Sequence, residues 1–382
     1  MALVITEYRL NSHADVIGTR ILKGYEYYGK RHDPRIRALS MFTDQVPAND
    51  MSRPMAAKYN VPLFPTIAQA LTLNGPKLAV EGVVLIGEHG NYPENEKGQK
   101  LYPRYDLFRQ IVDVFRASGR AVPVFSDKHL STDWPKAKWM YDQSRELKFP
   151  FMAGSSLPLA WRKPELELPM EHSMRRGVVA AYGGNEAYGF HALETLQCMA
   201  ERRKGGETGI NAVQSISGRA VWEWTDANSW SKPLLDAALA RSATAKTGAV
   251  RDNARNPTVF LLEYSDGFQG AVYMLDGHIT DFNFAGEMPG RTEPASTLFW
   301  LQPERPYSHF AGLTWYIEEL MVTRKEPYPV ERTLLTTGAL AALMESAWRG
   351  SRRVETPHLA VRYKAVEKSL YNRGAVPSPA DV

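Results

Sequence analysis

From the start to about Gly154, short β-branched apolar runs alternate with longer stretches whose apolar positions recur at helical spacing. That is the pattern of a parallel sheet with crossover helices. It predicts strands at Ala2–Ile5, Ile36–Thr43, Gly82–Ile86, Ala121–Phe125 and Phe149–Ala153. Between them it predicts helices at His13–Gly24, Ser52–Tyr59, Ile67–Leu71 and Tyr105–Ser118, and one after Ser131 with Ala137, Met140 and Tyr141 on one face. Gly82–Ile86 (GVVLI) is apolar throughout, as a strand covered on both faces must be.

Beyond about Pro158 the pattern changes to strands separated by turn residues. Val178–Tyr182 leads through Gly183-Gly184 into a helix from about Glu186 to Arg203. Ala212–Ser217, Thr258–Tyr264, Gly270–Leu275 and Ile279–Ala285 read as antiparallel strands, with a hairpin signal at Asp266-Gly267. If Val221–Trp224 (VWEW) is a strand, Trp222 and Trp224 share one side. Pro294–Pro306 reads as irregular, and Leu334–Arg349 as a closing helix.

The expected fold class is therefore α/β: an N-terminal Rossmann-like parallel sheet followed by a C-terminal α+β domain with an open antiparallel sheet. A chain of 382 residues exceeds what one core usually supports. The expected division is 1–157, 158–350 and a C-terminal extension 351–382 that packs back on the first domain.

Composition narrows the function classes. With 44% hydrophobic and 23% charged residues the chain has the make-up of a globular protein, not a disordered one. Its 46 Lys and Arg against 42 Asp and Glu are scattered, which argues against nucleic-acid binding. No stretch is apolar for long enough to cross a membrane, and the N-terminus lacks the basic and apolar regions of a signal peptide, so a cytoplasmic location is expected. The lone cysteine, Cys198, lies in an apolar run and reads as a buried thiol.

Polar residues directly after buried parallel strands project at the carboxyl edge of the sheet, where open α/β folds bind ligands. Here those positions are Thr6-Glu7-Tyr8-Arg9, Thr43-Asp44, Glu88-His89 and Ser126-Asp127-Lys128-His129, and together they predict a cleft.

The order of elements, with three local features, resembles the glucose-fructose oxidoreductase, inositol dehydrogenase and rhizopine-catabolism (Gfo/Idh/MocA) family over nearly the whole chain. SDKHLS at 126–131 stands where that family carries Glu-Lys-Pro: Lys128 matches the lysine, while Asp127 stands for the Glu and His129 replaces the Pro. YGGNEAYGFHALE at 182–194 is similar to the approach to its Asp-x-x-x-His motif; His191 matches the histidine, Ala187 fills the aspartate position and Glu186 lies one residue earlier. Pro329–Ala347 is similar to the family's C-terminal arrangement.

The resemblance implies a carbohydrate- or polyol-acting oxidoreductase using NAD or NADP. Its catalytic residues would be Lys128 and His191, with Glu186 as a substitute carboxylate, and it would assemble as a homodimer or homotetramer. The cofactor would lie over Thr6, Tyr8, Asn11, Asp44 and Glu88, and the substrate against His89, Asp127, His129 and Tyr188. The chain departs from the family at the G-x-G-x-x-G turn, whose glycine positions are filled by about Thr6, Tyr8 and Asn11.

Each residue also has a plainer reading. Lys128 could begin a helix in solvent, His191 could be a satisfied core histidine, and Asp44 could cap a turn. Glu7, His13, Glu88, His89, Asp127, His129, Glu186 and His191 could instead serve a divalent metal, although no compact ligand motif occurs. Two other functions stay open: sugar lyase, isomerase or hydrolase chemistry on a fold that has lost dinucleotide binding, and non-catalytic sugar binding.

Overall fold

The computed structural model describes residues 1–377. Its strands, in chain order, are β1 (Ala2–Glu7), β2 (Tyr25–Tyr27), β3 (Lys30–His32), β4 (Ser40–Gln45), β5 (Val83–Ile86), β6 (Val124–Asp127), β7 (Phe151–Gly154) and β8 (Trp161–Lys163). They continue with β9 (Arg176–Ala181), β10 (Ile210–Ser217), β11 (Thr258–Tyr264), β12 (Gln269–Met274), β13 (Phe282–Glu287), β14 (Ala295–Trp300) and β15 (Val354–Glu355). The α-helices are α1 (Thr19–Lys23), α2 (Ser52–Tyr59), α3 (Ile67–Thr72), α4 (Arg104–Ser118), α5 (Trp134–Glu146), α6 (Ala187–Ala200), α7 (Ala220–Ala227), α8 (Ser231–Leu239), α9 (Val250–Asn253), α10 (His309–Thr323) and α11 (Glu331–Trp348).

The first sheet has the order β4-β1-β5-β6-β7 and every pairing in it is parallel. Apart from the edge strand β4, its strands are short and wholly buried because helices cover both faces: α3, α4 and α5 on one, α10 and the Ala14–Gly18 turn on the other. The second sheet, β15-β10-β11-β12-β9-β13-β14-β8, is the expected open sheet. One pair in it, β9 with β12, is parallel, so the sheet is mixed rather than purely antiparallel. Alternate residues of its strands face α6 and α11 (Val179, Phe260, Val272) or α7 and α8 (Val178, Val259, Ala271). The Asp266-Gly267 hairpin joins β11 to β12, with Gly267 at φ 87°.

Several sequence expectations change. VWEW lies in helix α7, where two residues span about 200°, so Trp222 and Trp224 diverge. Trp222 lies under Arg251 and Trp224 against Trp230 and Tyr273. Pro294–Pro306 contains β14, whose central pairing with β13 lies wholly between the flanking prolines. α10, unforeseen, packs Leu313, Ile317 and Leu320 against Leu3, Ile5 and Val84 of the first sheet. The segment after β15 comes back to residues of the first half: Asn372 donates its amide to the Leu159 carbonyl and accepts from the Tyr27 hydroxyl.

Cys198 is buried, and burial raises its thiol pKa to about 11.

Candidate active site

A cleft of about 720 Å³ lies between the carboxyl edge of the first sheet and the α6, β13 and β14 side of the second. Its floor comes from strand ends and its walls from the second sheet, which is why groups far apart in sequence meet there.

Lys128 follows β6 and has φ 68°, the left-handed region that costs a non-glycine residue roughly 1–2 kcal/mol. Its amide donates to the Gly154 carbonyl at the end of the neighbouring β7, which holds the turn. The side chain thereby reaches α6, where Nζ lies 2.7 Å from His191 Nε2. Lysine offers only donors, so His191 Nε2 is the acceptor and its proton sits on Nδ1. Nδ1 in turn lies 2.6 Å from Ser155 Oγ, just past β7. Burial, and then the Lys128 charge, keep His191 well below the ordinary histidine pKa, so the ring is neutral.

Glu88, after β5, lies 3.6 Å from Lys128 Nζ and pairs with Arg104 at the start of α4. Burial alone would raise this carboxyl; Lys128 and Arg104 outweigh it and hold Glu88 well below the usual range. Next to it, His89 also has a positive φ, 70°, and its Nδ1 lies 3.2 Å from Arg9. Burial and the nearby His13 lower the His89 pKa to about 4.

His13 was named in the sequence only as a possible metal ligand, yet it lines the cleft and its Nδ1 lies 2.6 Å from Asp127 Oδ2. A carboxylate on one ring nitrogen orients the imidazole and leaves Nε2 as its other polar atom. Asp127 acts through His13 here and does not line the cleft. Sequence reasoning also missed Arg104, Ser155 and His309. The carboxyl-edge argument that selected Glu7 would have reached His13 and Ser155, since each follows a first-sheet strand. Arg104, 1% exposed, stands just before the helix expected at Tyr105–Ser118, where nothing in the local sequence marks it as buried.

The other expected site residues divide. Tyr188 lines the cleft, its ring stacked at 6.4 Å on Phe282. His129 is buried behind the cleft, with Nε2 3.0 Å from Arg104 and 2.8 Å from Glu186. Glu186 is thus turned onto His129 and does not replace the missing carboxylate in the cleft, where Ala187 stands instead; one helical residue rotates a side chain by about 100°. Thr6 is buried and donates to the Glu88 carbonyl. Tyr8 is likewise buried, its hydroxyl 2.6 Å from Thr19 Oγ1, so neither faces a cofactor. Asn11 reaches the cleft, but its side-chain oxygen accepts from Arg305. Asp44 lies outside it, exposed, and accepts from the Tyr92 hydroxyl.

The eight carboxylates and imidazoles named as metal candidates are mostly engaged in pairs. Among the described residues no three His, Cys, Asp or Glu side chains gather as a metal site. No helix there is long and apolar enough to cross a membrane.

No family model matches the sequence and no curated protein is similar to it. Solved structures are. Scyllo-inositol dehydrogenase from Lactobacillus casei with bound NAD(H) and scyllo-inositol superposes with TM-score 0.56 at 11% identity, over 93% of this chain and 98% of that one. The chain shares that protein's two-domain fold over nearly its whole length. GenD2 from gentamicin A biosynthesis, in complex with NAD, matches with TM-score 0.55 at 14% identity, over 93% and 96% of the two chains. Myo-inositol 2-dehydrogenase from Lactobacillus plantarum matches with 0.53 at 10%, over 93% and 98%. At such identities the likeness establishes the fold that the Lys128 and His191 motifs implied.

Proposed function

We propose that the protein is a carbohydrate- or polyol-acting enzyme of oxidoreductase-like architecture, in which Lys128 and His191 move a proton at a substrate hydroxyl. The observation that carries this reading is the 2.7 Å contact between the two groups inside the cleft. Lys128 has donors left over from His191 to hold a substrate oxygen as it becomes negative. The hydroxyl proton passes to Lys128 Nζ as Lys128 gives one to the neutral Nε2 of His191. Ser155 fixes the ring for that transfer, and His13, oriented by Asp127, is a second proton-transfer group in the cleft. Tyr188, Phe282 and Trp300 supply aromatic faces suited to the apolar side of a sugar ring.

The redox form of this reading needs NAD or NADP to take up hydride, and the dehydrogenases of like fold support it. The residues of the first βα turn do not fit a dinucleotide, because Tyr8 is packed into the core and Asp15 puts a buried carboxylate at the turn. That observation favours a second reading on the same cleft, lyase, isomerase or hydrolase chemistry on a sugar derivative. A cytoplasmic location belongs to either reading. A homodimer or homotetramer rests on the family resemblance alone, and α7 and α8 cover part of the outer face of the second sheet.

The test is Lys128→Met assayed by NMR against a panel of inositols, hexoses and their acids, with and without added NAD(P). Loss of turnover with ligand affinity kept supports the proposal. Equal turnover by the variant contradicts it.

A further inference from the structure

In dinucleotide folds the first βα turn binds diphosphate through free backbone amides, and glycines let the anion approach them. Here those amides are already used. Arg9 and Asp15 donate to Ser12 Oγ at 3.2 and 3.3 Å, and Ser12 donates to the Arg9 carbonyl at 3.0 Å. Asn11 donates to Asp15 Oδ2 at 2.9 Å. The turn thus holds an anion of its own, the Asp15 carboxylate, which is 2% exposed.

A strap from the second half closes over it. Arg305 donates to Asp15 Oδ2 and to Asn11 Oδ1, each at 2.8 Å. Arg20 reaches back to the carbonyls of Pro306 and Tyr307. Beneath the turn, Asp15 Oδ1 accepts from Thr19 Oγ1, which also meets the Tyr8 hydroxyl. Strand order reverses at β1, so the crevice for a ligand opens between the loops after β1 and β5. Those loops are tied together by Thr6 to the Glu88 carbonyl and by Arg9 to His89.

We infer that the first βα turn is a self-filled anion site, with Asp15 and Arg305 in the place of diphosphate and its counter-charge, so that the cleft takes one small polyhydroxylated ligand with no dinucleotide docked beside it. The inference rests on the reading of the cleft as a sugar or polyol site and adds what that site excludes. A second negative group brought to the turn would meet the fixed Asp15 charge and find no free donor among these four amides. Chemistry that returns the substrate's own protons and electrons to the product needs no such partner.

The test uses the full chain as purified. Calorimetric titration with NAD+, NADH, NADP+ and NADPH is expected to give no saturable binding at millimolar ligand, and mass spectrometry of the acid-released fraction is expected to contain no dinucleotide. Saturable binding, a released dinucleotide, or turnover of a polyol that requires added NAD(P) overturns the inference. Asp15→Asn with Arg305→Gln, which keeps shape and removes both charges, is expected to leave the thermal transition cooperative and dinucleotide binding still absent, since the amides stay occupied. Failure of the polyol reading shows separately, as unchanged turnover in Lys128→Met.

Discussion

Lys128 Nζ and His191 Nε2 lie 2.7 Å apart although 63 positions separate them in the chain. The left-handed turn after β6 and the second turn of α6 bring them together, and Ser155 fixes the ring from its far side. Removing the Lys128 charge removes one cause of the low His191 pKa. In Lys128→Met the His191 pKa is therefore expected to rise, while burial still keeps it below the ordinary value. A ¹⁵N-histidine NMR titration checks this, and an unmoved His191 resonance would contradict the coupling.

His13 Nδ1 lies 2.6 Å from Asp127 Oδ2, and the proposed mechanism uses this pair as a second proton-transfer unit. Asp127→Asn removes the carboxylate acceptor and with it the fixed ring tautomer. Turnover is expected to fall by ~10²-fold or more with KM little changed, because general acid–base groups contribute about that much. A KM-only effect would make Asp127 a binding group.

Burial lowers the pKa of His89 to about 4 and of His309 to about 3, from an ordinary 6.5. A histidine held neutral in the fold is protonated first in the unfolded chain, so its stabilisation is present above pH 6.5 and lost as pH falls toward those values. Each contributes a slope approaching about 1.4 kcal/mol per pH unit in that window. Urea midpoints measured across it should fall with acidification, and a flat profile would contradict the neutral, buried assignment.

Glu194 behaves in the opposite sense. Burial raises its carboxyl from 4.5 to about 6 despite Arg332 and the Thr336 hydroxyl. Its contribution is complete below 4.5 and is lost as pH rises through about 6, so ionisation costs about 2 kcal/mol at neutral pH. Glu194→Gln is expected to remove that loss at neutral pH, so the fall in urea midpoint from neutral to mildly acid solution becomes steeper than in the wild type. An unchanged fall would mean the carboxyl titrates normally.

Gly154 has φ 122°, and a Cβ there would lie 2.6 Å from Thr333 Oγ1 and 2.9 Å from Glu194 Oε2. Gly154→Ala is expected to cost more than about 1 kcal/mol and to disturb the carbonyl that anchors Lys128. Thermal denaturation together with Lys128-dependent turnover reads both effects.

Much of this was legible in the sequence where burial dictates it. Val83–Ile86 and Phe151–Gly154 are strands because nothing but apolar side chains fits between two helical layers. Lys128 and His89 were found because residues after such strands must emerge at the carboxyl edge. What escaped depends on contacts remote in sequence: the burial of Tyr8 needs Thr19 and the turn around it, and Glu186 is claimed by His129, itself paired with Arg104 from α4. The VWEW alternation misled because its residues answer to α8 and β12 rather than to strand neighbours.

The most direct measurement is turnover and affinity for one polyol in wild type and Lys128→Met side by side. A fall in kcat of ~10²–10⁴-fold with dissociation constant within a few-fold is expected for a group that moves the hydroxyl proton. Equal kcat in the two proteins would contradict the account.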